Sequence, residues 1–220
     1  MPAMDIERAR FNMVEQQIRT WEVLDQRVLE LIGRSPRENY VPAAYRKLAF
    51  ADTNIPIGHG QVMMQPKMEA RLLQELEIAS TDKILQVGVG TGYLTSLLAS
   101  SGKQVYGVEI FPDLAQDAAE KLETHGHKNV SVEIGDAVEG WKKFAPYNVI
   151  VFTGSVPILS EAVKAQLAPG GRLFVIVGKS PVMEALLITR LQDGSFGERS
   201  LFETDLPPLA NAKAPAKFIF

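Results

Sequence analysis

The alternation of short apolar runs with helical segments from residue 83 onward constrains the fold most strongly. Six runs are typical of buried strands: "KILQVGV", "QVYGVEI", "VSVEIG", "YNVIVFTG", "RLFVIVG" and "EALLITRL". The segments "YLTSLLASSG", "PDLAQDAAEKLETHG" and "ILSEAVKAQLAPGG" lie between them and are predicted to be helices. Strands that are apolar along their whole length, with helices between them, predict an α/β fold with a mostly parallel sheet flanked by helices.

The N-terminal part of the chain is predicted to add helices to this sheet. "DIERARFNMVEQQIR" and "DQRVLELI" have helical apolar periodicity, and Asp25 is a candidate N-cap for the second. In "SPREN", Ser35 and Glu38 have the spacing of a capping box, which predicts a third helix. A further amphipathic helix is predicted to begin at Pro66.

We predict one domain with two parts. Residues 1–66 form a helical N-terminal cap that ends in a loop, and residues 67–220 form the α/β core. The stretch that contains Pro207, Pro208 and Pro215 is predicted to be irregular until "KFIF", which is a candidate edge strand.

Composition excludes several classes of function. The chain has no cysteine, so it has no disulfide and no thiolate metal site, and its three histidines do not have metal-ligand spacing, so we assign no metal. The formal net charge is −3 without a run of Lys or Arg, which argues against a nucleic-acid partner. Nowhere do roughly 18 apolar residues run together, which predicts no membrane span and a cytoplasmic protein.

Candidate chemistry is concentrated at the turn after the first strand of the core, "LQVGVGTGY". Glycines at positions 88, 90 and 92 allow a tight turn that leaves backbone N–H groups open to a ligand at the start of the next helix. Such a turn also occurs where a helix merely packs against a strand. The dinucleotide pattern G-x-G-x-x-G has a third glycine at the sixth position, where this chain has Tyr93. A dinucleotide is therefore disfavoured.

Two acidic residues follow the next two strands. Glu109 lies 21 positions after Gly88, where a carboxylate can accept hydrogen bonds from two ribose hydroxyls. Asp136, in "GDA", is a candidate contact for an adenine edge, and the alternative is an ordinary turn residue. Because the carboxyl ends of parallel strands meet at one edge of the sheet, we expect these groups to surround one nucleoside-type ligand.

The G-x-G-x-G order resembles the first motif of class I S-adenosylmethionine-dependent methyltransferases. The resemblance extends to one family, the protein-L-isoaspartate O-methyltransferases, through "MVEQQIR", "RVLELIGRSPRENYVPAAYRKLAFADTNIPIGHGQ", "KILQVGVGTGYLTSLLA", "VYGVEI", "GDAVEGW", "APYNVIVFTG" and "QLAPGGRLFVIVG". It implies a Rossmann-like fold, S-adenosyl-L-methionine as the cofactor, and methyl transfer to the α-carboxylate of isoaspartyl residues in damaged proteins or peptides. We expect cofactor contacts at nine positions: Gln86, Gly88, Val89, Gly90, Gly92, Glu109, Ile110, Asp136 and Ala137.

The chain departs from the family pattern around the acceptor. In "GHGQVMMQP", Val62 stands at a family threonine and Met64 at the family serine whose hydroxyl lies near the acceptor carboxylate. Gln86 also stands where methyltransferases often have an acidic residue, and "FTGSV" replaces a more alanine-rich stretch. The chain is therefore identified as a divergent member with no assigned catalytic residue.

These departures leave three functions open: an isoaspartyl methyltransferase, a methyltransferase for a different acceptor, or a cofactor-binding protein without catalysis. Met64 could be simply an apolar wall, since methionine fills irregular gaps, and His59 could be only a turn residue. An isoaspartyl carboxylate could still be held by backbone N–H groups or by polar side chains. The candidate substrate-binding residues are His59, Gln61, Val62, Met64 and Ser155.

Overall fold

The computed structural model describes residues 5–213. The predicted "KFIF" strand lies outside these residues. The helices are α1 Ile6–Met13, α2 Gln26–Arg34, α3 Pro66–Leu76, α4 Tyr93–Ser101, α5 Pro112–Thr124 and α6 Glu161–Lys164. The strands are β1 Ile55–Gly58, β2 Gln61–Met63, β3 Lys83–Val87, β4 Gln104–Glu109, β5 Val130–Ile134, β6 Tyr147–Val156, β7 Leu167–Lys179, β8 Val182–Arg190 and β9 Phe196–Thr204.

Seven strands form one sheet in the order β5-β4-β3-β6-β7-β8-β9. The five strands from β5 to β7 pair in parallel, and β8 and β9 extend the sheet with antiparallel pairing. This confirms the predicted mostly parallel α/β sheet. The chain leaves β3 to form β4 on one side and later returns to form β6 on the other. The crevice beyond the carboxyl end of β3 is therefore the expected ligand site.

The sheet is covered on both faces, as its apolar strands require. Along β6, Val149 and Val151 pack into one hydrophobic cluster, whereas Ile150 and Phe152 pack into the other, because successive strand residues point to opposite faces. The first cluster also contains buried N-terminal residues such as Met13 and many others from α2 and α3. The N-terminal helices therefore share a core with the sheet.

Local signals placed some elements correctly. Asp25 is the N-cap of α2, and its carboxylate accepts a hydrogen bond from Arg27 N at 2.9 Å. Helix α3 begins at Pro66, where the missing proline N–H has no helical partner to lose. The capping box at Ser35 was wrong. The Ser35 hydroxyl donates to Leu31 O at 2.7 Å and so closes α2, and two 3₁₀ segments, Arg37–Asn39 and Ala43–Leu48, follow in place of an α-helix.

Two other predictions differ from the structure, and one strand was missed. In "ILSEAVKAQLAPGG" only the single turn of α6 is helical, because β7 already begins at Leu167 and pairs there with Tyr147. Strand β9 was missed, since its mostly exposed edge position gives only a weak apolar alternation. The "GHGQ" segment is the tip of a β1–β2 hairpin rather than an irregular loop.

Candidate active site

The glycine turn follows β3 as predicted, and its backbone geometry explains the first two glycines. Gly88 and Gly90 have φ of 84° and 55°, which side chains rarely tolerate. A Cβ on Gly88 would lie 2.3 Å from Thr153 Oγ1 in β6. Gly92 has φ of 85° and is the N-cap of α4, where a Cβ would lie 3.2 Å from Ala118 in α5. Gly92 therefore allows close packing of α4 against α5.

Glu109 is buried at the end of β4 and holds this turn in place. Its Oε2 accepts hydrogen bonds from Val89 N and Gly90 N, both at 2.9 Å, and its Oε1 accepts one from Phe111 N at 3.1 Å. A carboxylate has about four acceptor sites, so roughly one remains for a ligand. In this arrangement Glu109 has room for about one of the two expected ribose hydroxyls, because it also organises the turn.

Asp136 follows β5, as predicted, but it already has partners. Its Oδ1 accepts from Val138 N at 3.0 Å, and its Oδ2 accepts from Asn211 Nδ2 at 2.9 Å. Asn211 belongs to the segment after β9 that covers this end of the sheet. A ligand that contacts the Asp136 carboxylate therefore shares it with Asn211.

These strand ends surround a cavity that opens to solvent. Eleven of the fourteen predicted site residues line it: Gln61, Val62, Met64, Gln86, Gly88, Val89, Gly90, Glu109, Ile110, Asp136 and Ala137. The structure places His59, Gly92 and Ser155 outside its wall.

Gln86 brings an unusual polar group to this cavity. The side chain is fully buried, and its Nε2 donates to Gly88 O at 2.9 Å. Its Oε1 has no hydrogen-bond partner among the described residues. A buried acceptor without a partner costs about 1–3 kcal/mol, so this site favours a ligand with an N–H or O–H donor.

His59 fixes the position of the hairpin and does not line the cavity. Its ring stacks on Phe111, with centroids 4.0 Å apart and planes at 9°. Its Nε2 lies 2.9 Å from Asp113 Oδ2 in the first turn of α5, and this hydrogen bond lowers the pKa of the Asp113 carboxyl. Gln61, on the other side of the hairpin tip, donates to Pro208 O at 3.1 Å. The hairpin is therefore tied to both sides of the cavity.

Ser155 lies away from the predicted acceptor. Its hydroxyl is fully buried and donates to Leu206 O at 2.8 Å, while its backbone N–H donates to Pro207 O at 3.1 Å. Thr153, two residues earlier in β6, lines the cavity instead. We therefore remove Ser155 from the set of candidate substrate contacts.

Sequence reasoning missed a buried ion pair beside Met64. Arg37 and Glu69 are both almost completely buried, and Arg37 Nη1 donates to Glu69 Oε2. Glu69 also lines the cavity. A signal was present in the sequence, because Glu69 lies on the same face of α3 as the buried Leu72, Leu73 and Leu76. An acidic residue on the apolar face of a helix requires a buried partner.

No group of three or more His, Asp or Glu side chains within residues 5–213 could hold a metal ion. None of the helices in this part of the chain is long and apolar enough to cross a membrane.

Comparisons with known proteins point to one family. The sequence profile of the protein-L-isoaspartate(D-aspartate) O-methyltransferases matches residues 8–214. A protein-L-isoaspartate O-methyltransferase of Koribacter versatilis is 40% identical over 93% of this chain and 90% of its own length. One of Pseudomonas paraeruginosa is 38% identical over 94% of this chain and 98% of its own length.

Solved structures show the same fold. A candidate protein-L-isoaspartate O-methyltransferase from Plasmodium falciparum, solved in complex with S-adenosyl-L-homocysteine, superposes with a TM-score of 0.77 at 20% identity. The match covers 91% of this chain and 97% of that one.

Proposed function

Because this chain belongs to the protein-L-isoaspartate(D-aspartate) O-methyltransferase family, we propose that it methylates the α-carboxylate of isoaspartyl residues in proteins or peptides. The chain is an S-adenosylmethionine-dependent methyltransferase. The observation that carries the substrate proposal is the extent of the family match. It runs through the N-terminal helices and the hairpin as well as through the glycine turn.

The residues that line the cavity suit S-adenosylmethionine. We propose that Gln86 Oε1 accepts a hydrogen bond from the ammonium group of the cofactor, and that Glu109 and Asp136 face its ribose and adenine. When bound, the cofactor supplies an electrophilic methyl group on a sulfonium. Residues 67–220 form the cofactor-binding core in this proposal, and residues 1–66 form the cap and the acceptor side.

Methyl transfer to a carboxylate requires few catalytic groups at the acceptor site. A carboxyl group with a pKa of about 4 is already ionised at neutral pH, so no strong general base is needed. The residues of the chain must hold the carboxylate oxygen in line and keep water away, which is catalysis by proximity and orientation. We propose that the hairpin does this, with Gln61, Val62 and Met64 facing the acceptor and His59 keeping the hairpin in position. The cytoplasmic location and the lack of a nucleic-acid partner stay predictions.

We expect wild-type protein to bind S-adenosylhomocysteine and to transfer labelled methyl groups to an isoaspartyl peptide, but not to its aspartyl counterpart. Calorimetric titration measures the first property, and a filter assay with labelled S-adenosylmethionine measures the second. NAD serves as the negative control for binding. Clear cofactor binding without methyl transfer to the isoaspartyl peptide at several pH values would contradict the substrate proposal.

The apolar hairpin supports a second candidate, a methyltransferase for a different acceptor. Met63 and Met64 are both buried and line the cavity, and no hydroxyl stands at position 62 or 64. A smaller or less polar acceptor than an isoaspartyl carboxylate would suit such walls. Brisk turnover of the isoaspartyl peptide argues against this candidate.

Restoring the missing hydroxyls should raise isoaspartyl activity. A donor that acts mainly in the transition state is worth about 100- to 1,000-fold in rate. Methyl transfer removes charge from the acceptor, so we expect only roughly tenfold, or about 1.4 kcal/mol, for Val62→Thr with Met64→Ser. The affinity for S-adenosylhomocysteine should stay near that of wild type. Unchanged turnover in a folded double variant would mean that Met64 is only a wall.

A further inference from the structure

Glu69 places an ionisable group in the cavity wall close to the hairpin. It lies in the first turns of α3, and its side chain lines the same cavity as Met64 and Glu109. Only about 2% of the residue is exposed. The carboxyl is therefore available to a ligand in the cavity but largely hidden from bulk water.

The hydrogen bonds around Glu69 leave one of its oxygens free. Arg37 Nη1 donates to Oε2, whereas the other Arg37 donors serve backbone carbonyls: Nε donates to Ala49 O at 2.9 Å and Nη2 to Met64 O at 2.6 Å. Glu69 Oε1 has no hydrogen-bond partner among residues 5–213. Glu69 lines the cavity and Arg37 does not, so Glu69 is the member of the pair that can meet a ligand there.

The charges around this carboxyl come from several elements. Arg37 is the nearest, and its guanidinium lies 4.8 Å from the centroid of the Tyr93 ring at the start of α4. Arg10 from α1 lies further away, where its positive charge acts to lower the pKa of Tyr93, and it is paired with Glu38. Glu109 and Asp136 line the same cavity as further acidic groups.

Burial dominates the titration of Glu69. It raises the pKa of the carboxyl to about 7, even though the Arg37 guanidinium opposes this by stabilising the carboxylate. The protonated acid is therefore well populated at neutral pH. In that form the side chain can donate an O–H, which a thioether such as that of Met64 cannot do.

We propose that the protonated Glu69 side chain donates a hydrogen bond to the acceptor carboxylate and so replaces the hydroxyls absent at Val62 and Met64. This inference rests on the proposed isoaspartyl function. Methylation converts the acceptor carboxylate into a neutral ester, so Glu69 keeps its proton throughout. Ionised Glu69 has no proton to donate and repels an anionic acceptor.

The proposal predicts an unusual loss of activity with rising pH. The acceptor itself is ionised throughout the neutral range, so a reaction without a titrating donor should not change between about pH 6 and pH 8. With Glu69 as the donor, kcat/KM should fall about tenfold over this interval, because kcat/KM reports the pKa values of the free enzyme. The decline should have an apparent pKa near 7.

The test is the pH profile of kcat/KM for wild type, Glu69→Gln and Glu75→Gln, with an N-acetylated isoaspartyl peptide that lacks histidine. An amide at position 69 keeps an oxygen that accepts from Arg37, and its NH₂ group can donate to the acceptor carboxylate at every pH. Glu69→Gln should therefore retain activity and lose the pH dependence. Glu75 lies on the same helix but pairs with Arg71 and Arg199 outside the cavity. Its variant should keep the wild-type profile. Affinity for S-adenosylhomocysteine and the thermal midpoint report whether each variant is folded.

Each outcome decides a different point. A wild-type profile that is flat, or that rises with pH, overturns the role of Glu69 while leaving the isoaspartyl function intact. An equal decline in Glu69→Gln also overturns it. No transfer by wild type at any pH refutes the proposed function itself. If Glu69→Gln does not fold, Arg37→Met with Glu69→Leu removes both members of the pair, and Met64→Ser added to it supplies the donor from position 64. This variant should be active with a flat profile.

Discussion

Arg37→Met should lower the free energy of unfolding by about 3–5 kcal/mol, because three buried acceptors lose their donor at about 1–3 kcal/mol each. Arg37 is completely buried, and its removal leaves Glu69 unpaired and the carbonyls of Ala49 and Met64 without a donor. Urea denaturation at neutral pH, followed by circular dichroism, measures the change. The hairpin should also lose its fixed position, because Met64 O is anchored by Arg37.

Two further variants separate charge pairing from packing. Arg37→Met combined with Glu69→Leu removes both charges, and replacement of a buried pair by apolar groups is often neutral or stabilising. This double variant should therefore recover the part of the loss that comes from Glu69, whereas the carbonyls of Ala49 and Met64 still lack a donor. Arg27→Met is the surface control, since Arg27 pairs with Asp25 at an exposed position of α2, and its unfolding midpoint should stay close to that of wild type. A single Arg37→Met variant that is as stable as Arg27→Met would contradict this account of the pair.

Glu109→Ala should weaken binding of S-adenosylhomocysteine by about 100-fold or more. The substitution removes the acceptor of three backbone N–H groups, from Val89, Gly90 and Phe111. Hydrogen bonds to charged groups contribute about 1.5–3 kcal/mol each. Because the variant loses both the ribose contact and the fixed turn, its loss of binding free energy should exceed that of one hydrogen bond. Isothermal titration calorimetry measures the change.

A matched control is available on the neighbouring strand. Glu133 in β5 pairs with the exposed Lys143 and does not line the cavity, so Glu133→Ala should bind S-adenosylhomocysteine as wild type does. Glu109→Gln is informative as well. An amide has a single oxygen, and its NH₂ group would face one of the backbone N–H donors, so this variant should bind more weakly than wild type. Wild-type affinity in Glu109→Ala would mean that neither the turn nor the ribose depends on this carboxylate.

Sequence reasoning was most successful where a local rule decides the conformation. Glycines at positions of positive φ, proline at the start of α3 and a carboxylate at the end of β4 follow from properties of short segments. The order of strands and helices then brings the turn, Glu109 and Asp136 to one edge of the sheet, as parallel topology requires. Their positions could be predicted because they follow from local conformation and from the order of strands and helices.

Side-chain direction was less predictable. His59 and Ser155 were plausible acceptor contacts because they lie close to the active-site segments in the sequence. The structure turns His59 towards Phe111 and Asp113, and turns the Ser155 hydroxyl towards Leu206 O. In each case the partner belongs to a distant part of the chain. Proximity along the sequence could not reveal this arrangement.

The sequence by itself determined the parallel sheet, the glycine turn and the family, because apolar periodicity, glycine φ and collinear motifs are properties of the chain order. Only the tertiary structure decided that Arg37 and Glu69, 32 residues apart, meet beside the cavity. In the sequence they resemble the many charged residues that remain in water. Whether a carboxyl group is desolvated, and whether it finds a guanidinium, depends on the elements packed around it, and the pKa of Glu69 depends on the same packing.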